Sequence, residues 1–144
     1  MSAFHFVYMA PPSQTLREYA AELYVRRAEA VVAPRQAIAV GDWQPQPNLC
    51  HENAMALAEK DGTYTAVHGW LFFDLVAPAQ FKRFAAHSVV ATANGQLIDV
   101  TPAAPGVALY PFIRSGLTEE DYADAVNVLI QAFGSSNCLD HWVG

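Results

Sequence analysis

A chain of 144 residues is about one domain's worth, long enough to bury close to about 70% of its unfolded surface, so it needs no disulfide or metal staple. Hydrophobic residues make up 53% and charged residues 15%, which excludes intrinsic disorder and predicts a large core. Eight Lys and Arg against fourteen Asp and Glu give a net charge of −6, which argues against a nucleic-acid binder and against an anionic membrane surface as partner.

Phe4, Phe6 and Tyr8 alternate with His5, Val7 and Met9, which predicts a short first strand. Thr15 stands three residues before Glu18, a capping box that opens a long helix over 16–32, ended by Pro34. Gly41, Pro45, Pro47 and Asn48 make a loop of breakers. Asn48 is the expected N-cap of a second helix over 49–60, which stops at Asp61-Gly62. Residues 63–75 are β-branched and aromatic and read as a long strand broken only by Gly69.

A second strand over 86–93 meets a third over 96–101 across Asn94-Gly95, a strong hairpin signal. A further strand is expected over 107–113. Thr118, followed by Glu119, Glu120 and Asp121, opens a last helix that closes at Gly134, and the tail from Ser135 reads as irregular. Helices followed by a run of antiparallel strands place the chain in the α+β class, as a single domain over 1–144. The core of that domain falls at about 41–113, flanked by helices at about 15–33 and 118–133.

No apolar run approaches the roughly 20 residues that span a bilayer. The apolar N-terminus has no preceding Lys or Arg and runs straight into Pro11-Pro12, so it reads poorly as a secretion signal. Two cysteines, Cys50 and Cys138, are too few for a disulfide scaffold, and a reduced, cytoplasmic setting is the expectation. The oligomeric state stays open.

Cys50 falls in the first turn of its helix, where unpaired N–H groups and the positive end of the dipole favour a thiolate. The same N–H groups can hold an oxyanion formed by attack on a carbonyl. Such a nucleophile needs a base, and the base needs an orienting group. His87 and Asp99 lie on the two strands of the hairpin, and polar residues in such apolar strands must find partners.

The register decides whether they meet. A two-residue Asn94-Gly95 turn pairs Ala93 with Gln96 and puts His87 and Asp99 on opposite faces. A three-residue loop with Gly95 left-handed in a bulge pairs Thr92 with Gln96 instead. His87 then becomes a diagonal, same-face neighbour of Asp99, roughly 7–8 Å away across the two backbones. Asn-Gly permits both registers, and the bulged one is the expectation adopted.

Cys50-His51-Glu52-Asn53-Ala54 opening a helix, then Val67-His68-Gly69-Trp70, His87 in an apolar strand and Asp99-Val100-Thr101-Pro102 resemble the transglutaminase-like thiol enzymes of the papain-like superfamily. NlpC-type cell-wall amidases share the plan. The resemblance covers about residues 48–102 and implies a nucleophile helix packed on an antiparallel sheet. It implies Cys50 as nucleophile, His87 as base and Asp99 as orienter, with no cofactor. Ser88 after His87 and Val100 after Asp99 depart from the family pattern, so the subfamily and substrate stay open.

The expected activity is a thiol hydrolase or acyl transferase acting on an amide or ester, of peptidase, amidase or transglutaminase-like type. Its partner is a substrate bearing that bond: a peptide, a glutamine side chain or a small acyl compound. Asn48, His51 and Trp70 are the candidate substrate contacts. Trp70 also fits an ordinary core position, with Gly69 beside it admitting close approach of a ligand or backbone. Two other classes stand beside the enzyme. One is a non-catalytic binding module on the same fold. The other is a zinc protein using Cys50, His51, His87 or the Cys138–His141 pair, which lacks the paired knuckles of structural zinc sites.

Overall fold

The computed structural model describes residues 6–134 and 136–144. The elements follow one another as α1 (Gln14–Val25), a 3-10 turn (Arg27–Glu29), α2 (Cys50–Lys60), β1 (Thr65–Phe73), β2 (Phe81–Ala91), β3 (Leu97–Ile98), β4 (Phe112–Arg114), α3 (Glu119–Phe133) and β5 (Cys138–Trp142). The five strands form an antiparallel sheet in the order β3-β2-β1-β4, with β5 also paired to β2, so the class is α+β.

Several expected boundaries move. Phe6–Ala10 pairs with no strand, and Phe4 and His5 lie outside the described residues. The first helix begins at Gln14 because the Ser13 hydroxyl, not Thr15, accepts the Leu16 N–H. It ends at Val25, well before Pro34. The 30s run on as bridging backbone instead, Val31 pairing with Phe112 and Arg35 with Asp99. The strand expected over 107–113 shrinks to Phe112–Arg114.

The tail is not irregular. Cys138–Trp142 pairs with Phe81–Ala85, which extends β2 five residues before the expected start at Ala86. This closure is fixed by Asp140, whose carboxylate, 1% exposed, accepts Arg83 Nε at 2.8 Å and Nη2 at 2.9 Å and the Met9 N–H at 2.9 Å. The α3 boundaries fall where expected: Thr118 accepts the Asp121 N–H, and Gly134 ends the helix at φ 74°.

All three helices cover one face of the sheet. Trp70, Phe72, Phe84 and Ala86, alternate residues of β1 and β2, pack against Leu16, Tyr19 and Leu23 of α1 and Tyr122 and Leu129 of α3. Farther along the same face, Val90 and Ile98 meet Ala54 and Leu57 of α2. The other face holds a smaller cluster of Val67, Val89 and Phe112 under Ala33. Gly69 is obligatory where β4 joins: a Cβ there would lie 2.1 Å from the Ile113 carbonyl oxygen and 2.7 Å from the Phe112 ring. The close approach allowed by this glycine is therefore made by backbone.

The hairpin adopts the bulged register. Val90 pairs with Ile98, Ala91 with Leu97, and the Thr92 N–H donates to the Gln96 carbonyl at 2.8 Å. Gly95 takes φ 87°, the left-handed conformation that a three-residue loop requires.

Candidate active site

The bulge puts His87 and Asp99 on one face, and their side chains meet. His87 Nε2 lies 2.7 Å from Asp99 Oδ2, and the carboxylate, 5% exposed, also accepts the Thr101 N–H at 3.1 Å through Oδ1. With Nε2 taken by the carboxylate, Nδ1 is the nitrogen left for another partner. Asp99 is fixed from behind by the 30s segment: its N–H donates to the Pro34 carbonyl and its carbonyl accepts the Gln36 N–H, both at 2.9 Å.

Cys50 is the first residue of α2. The cap position belongs to Leu49, which has no side-chain acceptor, so the first-turn N–H groups lack a side-chain cap. Asn48 is therefore not the cap. It takes φ 65°, a left-handed conformation that asparagine tolerates, and turns the chain into the helix. Asn48, Cys50, His87, Asp99 and Arg35 line one cleft of about 200 Å³. This cleft shares Asn48, Pro102 and Ala103 with a larger groove of about 560 Å³.

The thiol lies between two imidazoles. Burial opposes its ionisation, but His51 and His87 outweigh burial and bring the Cys50 pKa down to about 6. Burial likewise opposes a charged His87, yet Asp99 and then Cys50 push its pKa up to about 9. Between these values the favoured state is a thiolate beside an imidazolium. Among the described residues, no hydrogen bond of standard geometry yet joins the sulfur to either ring. The other thiol differs: burial raises the Cys138 pKa above its ordinary value.

The two rings approach from opposite faces of β2. His87 and Ser88 are successive strand residues and so alternate in direction. Ser88, 1% exposed, carries the second ring: its hydroxyl lies 2.6 Å from His51 Nδ1 and 2.6 Å from His68 Nδ1. One hydroxyl has one proton, so it can donate to at most one of the two rings, and at least one ring Nδ1–H donates to it. Such convergence is possible because the β2 edge is interrupted. β5 pairs up to Ala85 and β3 resumes at Val90, leaving between them the stretch that holds His87 and Ser88.

Tyr122 of α3 braces this arrangement. Its ring stacks on His68 at 5.1 Å, and its hydroxyl donates to the Gly69 carbonyl at 2.8 Å. Burial, then the Cys50 charge, raises its pKa well above the ordinary phenol range. Burial lowers the His68 pKa, and His51 adds to the effect. Asn53, 3% exposed, clamps the other side: its amide nitrogen donates to the Gln46 carbonyl at 2.8 Å and to Thr101 Oγ1 at 3.0 Å, and its oxygen accepts the Gln46 N–H at 3.0 Å.

Cys50, His87, Asp99 and Asn48 thus share one cleft, whereas His51 lines a separate pocket of about 230 Å³ with His68 and Tyr122 and is not among the residues of the Cys50 cleft. Trp70 does not join them. It is 0% exposed in the core, with its indole N–H donating to Tyr19 Oη at 2.9 Å, so it is no substrate contact. Cys138 and His141 sit three residues apart on β5, an interval that points their side chains to opposite faces. Among the described residues, no group of three or more His, Cys, Asp or Glu side chains is placed to hold a metal ion.

Sequence reasoning gives Arg35 no role, marks Ser88 only as a departure from the family pattern, and offers His68 only within the strand motif that carries the resemblance. The alternation of Ser88 with His87, combined with a β1–β2 register pairing His68 with Ser88, is the signal that finds the histidine bridge. No family model, curated protein or solved structure matches the chain. No helix among the described residues is long and apolar enough to cross a membrane.

Proposed function

We propose that the protein is a thiol hydrolase or acyl transferase of the transglutaminase-like, papain-like kind, acting on an amide or ester through Cys50, His87 and Asp99. The observation that carries this reading is the single cleft in which a low-pKa thiol at an uncapped helix start adjoins an imidazole bound to a buried carboxylate.

The Cys50 thiolate attacks the substrate carbonyl carbon, and the carbonyl electron pair moves onto oxygen. The N–H groups of the first α2 turn receive that oxyanion. As the carbonyl reforms, the bond to the leaving amine or alcohol breaks, and His87 delivers its proton to the leaving group. Neutral His87 then removes a proton from water or an amine, which attacks the thioester and returns the sulfur as thiolate. Asp99 holds the ring so that Nδ1 serves the reaction and stabilises the imidazolium whenever it forms. His51 adds a second imidazole to the thiolate's surroundings and assists its ionisation.

Exposure to activated esters, followed by mass spectrometry of the intact chain and its peptides, tests the reading. Acylation on Cys50, absent in Cys50→Ala and slowed by about 100-fold or more in His87→Ala, is the expected result. A Cys50 that acylates no faster than Cys138 at pH 6.5 overturns it and leaves a non-catalytic binding module.

A further inference from the structure

We infer that Arg35 reads the substrate and that the acyl donor carries a carboxylate, an inference that rests on the hydrolase reading above. Arg35 lines the cleft that holds Cys50, His87 and Asp99. Its place there is set by backbone. Residues Pro34 and Gln36 on either side exchange hydrogen bonds with Asp99, so Arg35 stands in register with the orienting carboxylate.

The Arg35 Nε is buried and has no hydrogen-bond partner among the described residues. A buried donor without an acceptor is costly enough to require an explanation. The other buried or half-buried cations have theirs. Arg26 lies against Glu22 and Glu29, Lys82 against Asp74, and Arg83 against Asp140. Arg35 alone faces a cleft that a ligand must enter to reach the thiol, with no carboxylate within 4 Å among the described residues.

One guanidinium fork matches one planar carboxylate, which can accept two parallel N–H donors. A phosphate fits less well. It brings about twice the charge into a cleft already holding Asp99 and the Cys50 thiolate. His87 is engaged by Asp99, and among the described residues no further Lys or Arg lines the cleft. The anionic end of the acyl group therefore sits by Arg35, and the rest of the substrate runs past Pro102 into the adjoining groove beside Pro47 and Val107.

Two measurements test this. In the first, wild-type protein is alkylated with iodoacetamide in the presence of adipate or its diamide, and the rate at Cys50 is read by mass spectrometry. Adipate protects Cys50 and the diamide does not; equal protection by both overturns the inference without any variant. In the second, kcat/KM is compared for the 4-nitrophenyl monoester of adipic acid and the matching ester of its monoamide. The acid-to-amide ratio falls about 10- to 100-fold in Arg35→Gln and recovers in large part in Arg35→Lys. A ratio within about threefold of wild type in Arg35→Gln, including a parallel loss on both esters from an oxyanion or structural role, overturns it. Turnover without preference for the acid removes this inference alone. Adipate protection without turnover of either ester removes the hydrolase reading and leaves Arg35 as a carboxylate-binding residue.

Discussion

At the scale of single residues, the site turns on where one proton resides. The thiol pKa is depressed to about 6 and the His87 pKa is raised to about 9, so the charged pair occupies the interval between them. The depressed group is ionised above its folded pKa, and the raised group is protonated below its own. Acyl transfer needs the thiolate to attack and the imidazolium to protonate the leaving group. The rate of ester turnover is therefore expected to rise with pH through about 6 and fall through about 9. Alkylation by iodoacetamide needs only the thiolate, so it keeps the lower inflection and lacks the descending limb. Replacing His87 by Ala moves that lower inflection upward, and a wild-type inflection near the ordinary thiol value would refute the charged pair.

At the scale of elements, β2 carries both histidine assemblies, and β4 positions β2's neighbour. The Phe112 ring, which Gly69 allows to approach β1, lies 6.4 Å from the His87 ring. Gly69→Ala has no room for its methyl group, since the nearest obstacle is backbone. The substitution is expected to destabilise the fold by about 3 kcal/mol and to slow turnover beyond what the remaining folded fraction explains. Denaturant titration with parallel activity measurement separates the two effects. The hairpin that joins β2 to β3 was legible in the sequence because its rules are local. Asn94-Gly95, the left-handed glycine and the need of His87 and Asp99 for partners define the register within 13 residues, from His87 to Asp99. The starts of α2 and α3 were legible for similar reasons, although Leu49 rather than Asn48 occupies the α2 cap. The His51–Ser88–His68 bridge and the Arg35–Asp99 pairing depend on contacts between distant segments, and local periodicity does not encode them. Trp70 misled in the same way, because an indole suits a core and a ligand wall equally until its Tyr19 partner is placed.

At the scale of the whole molecule, β5 returns to β2 through one buried ion pair. Asp140 binds Arg83 through both oxygens and also receives the Met9 N–H, while Arg83 Nη2 donates to the Val7 carbonyl at 2.8 Å. Truncating Asp140 to Ala strands a cation that is largely covered and frees two chain segments together. A loss of about 3–5 kcal/mol is expected, read as a lower denaturant midpoint. A change below about 1 kcal/mol would show the pair to be dispensable. This tail looked irregular in the sequence because its pairing partner lies more than fifty residues upstream, and a five-residue strand ending in Trp142-Val143-Gly144 carries little pattern of its own.

The interruption of the β2 edge has a consequence for how the protein fails under stress. Apart from His87 on β2, the walls around Cys50 are short pieces: a two-residue strand, a few backbone bonds from the 30s and the Asn53 clamp, all outside the larger cluster packed between the sheet, α1 and α3. Such pieces loosen at a lower free-energy cost than the core. Under mild heat or low urea, catalytic silence should therefore arrive while the far-ultraviolet dichroism is still intact, and cooling or dilution should restore the lost rate. Coincident inactivation and melting would mean that the cleft and the core come apart as one unit.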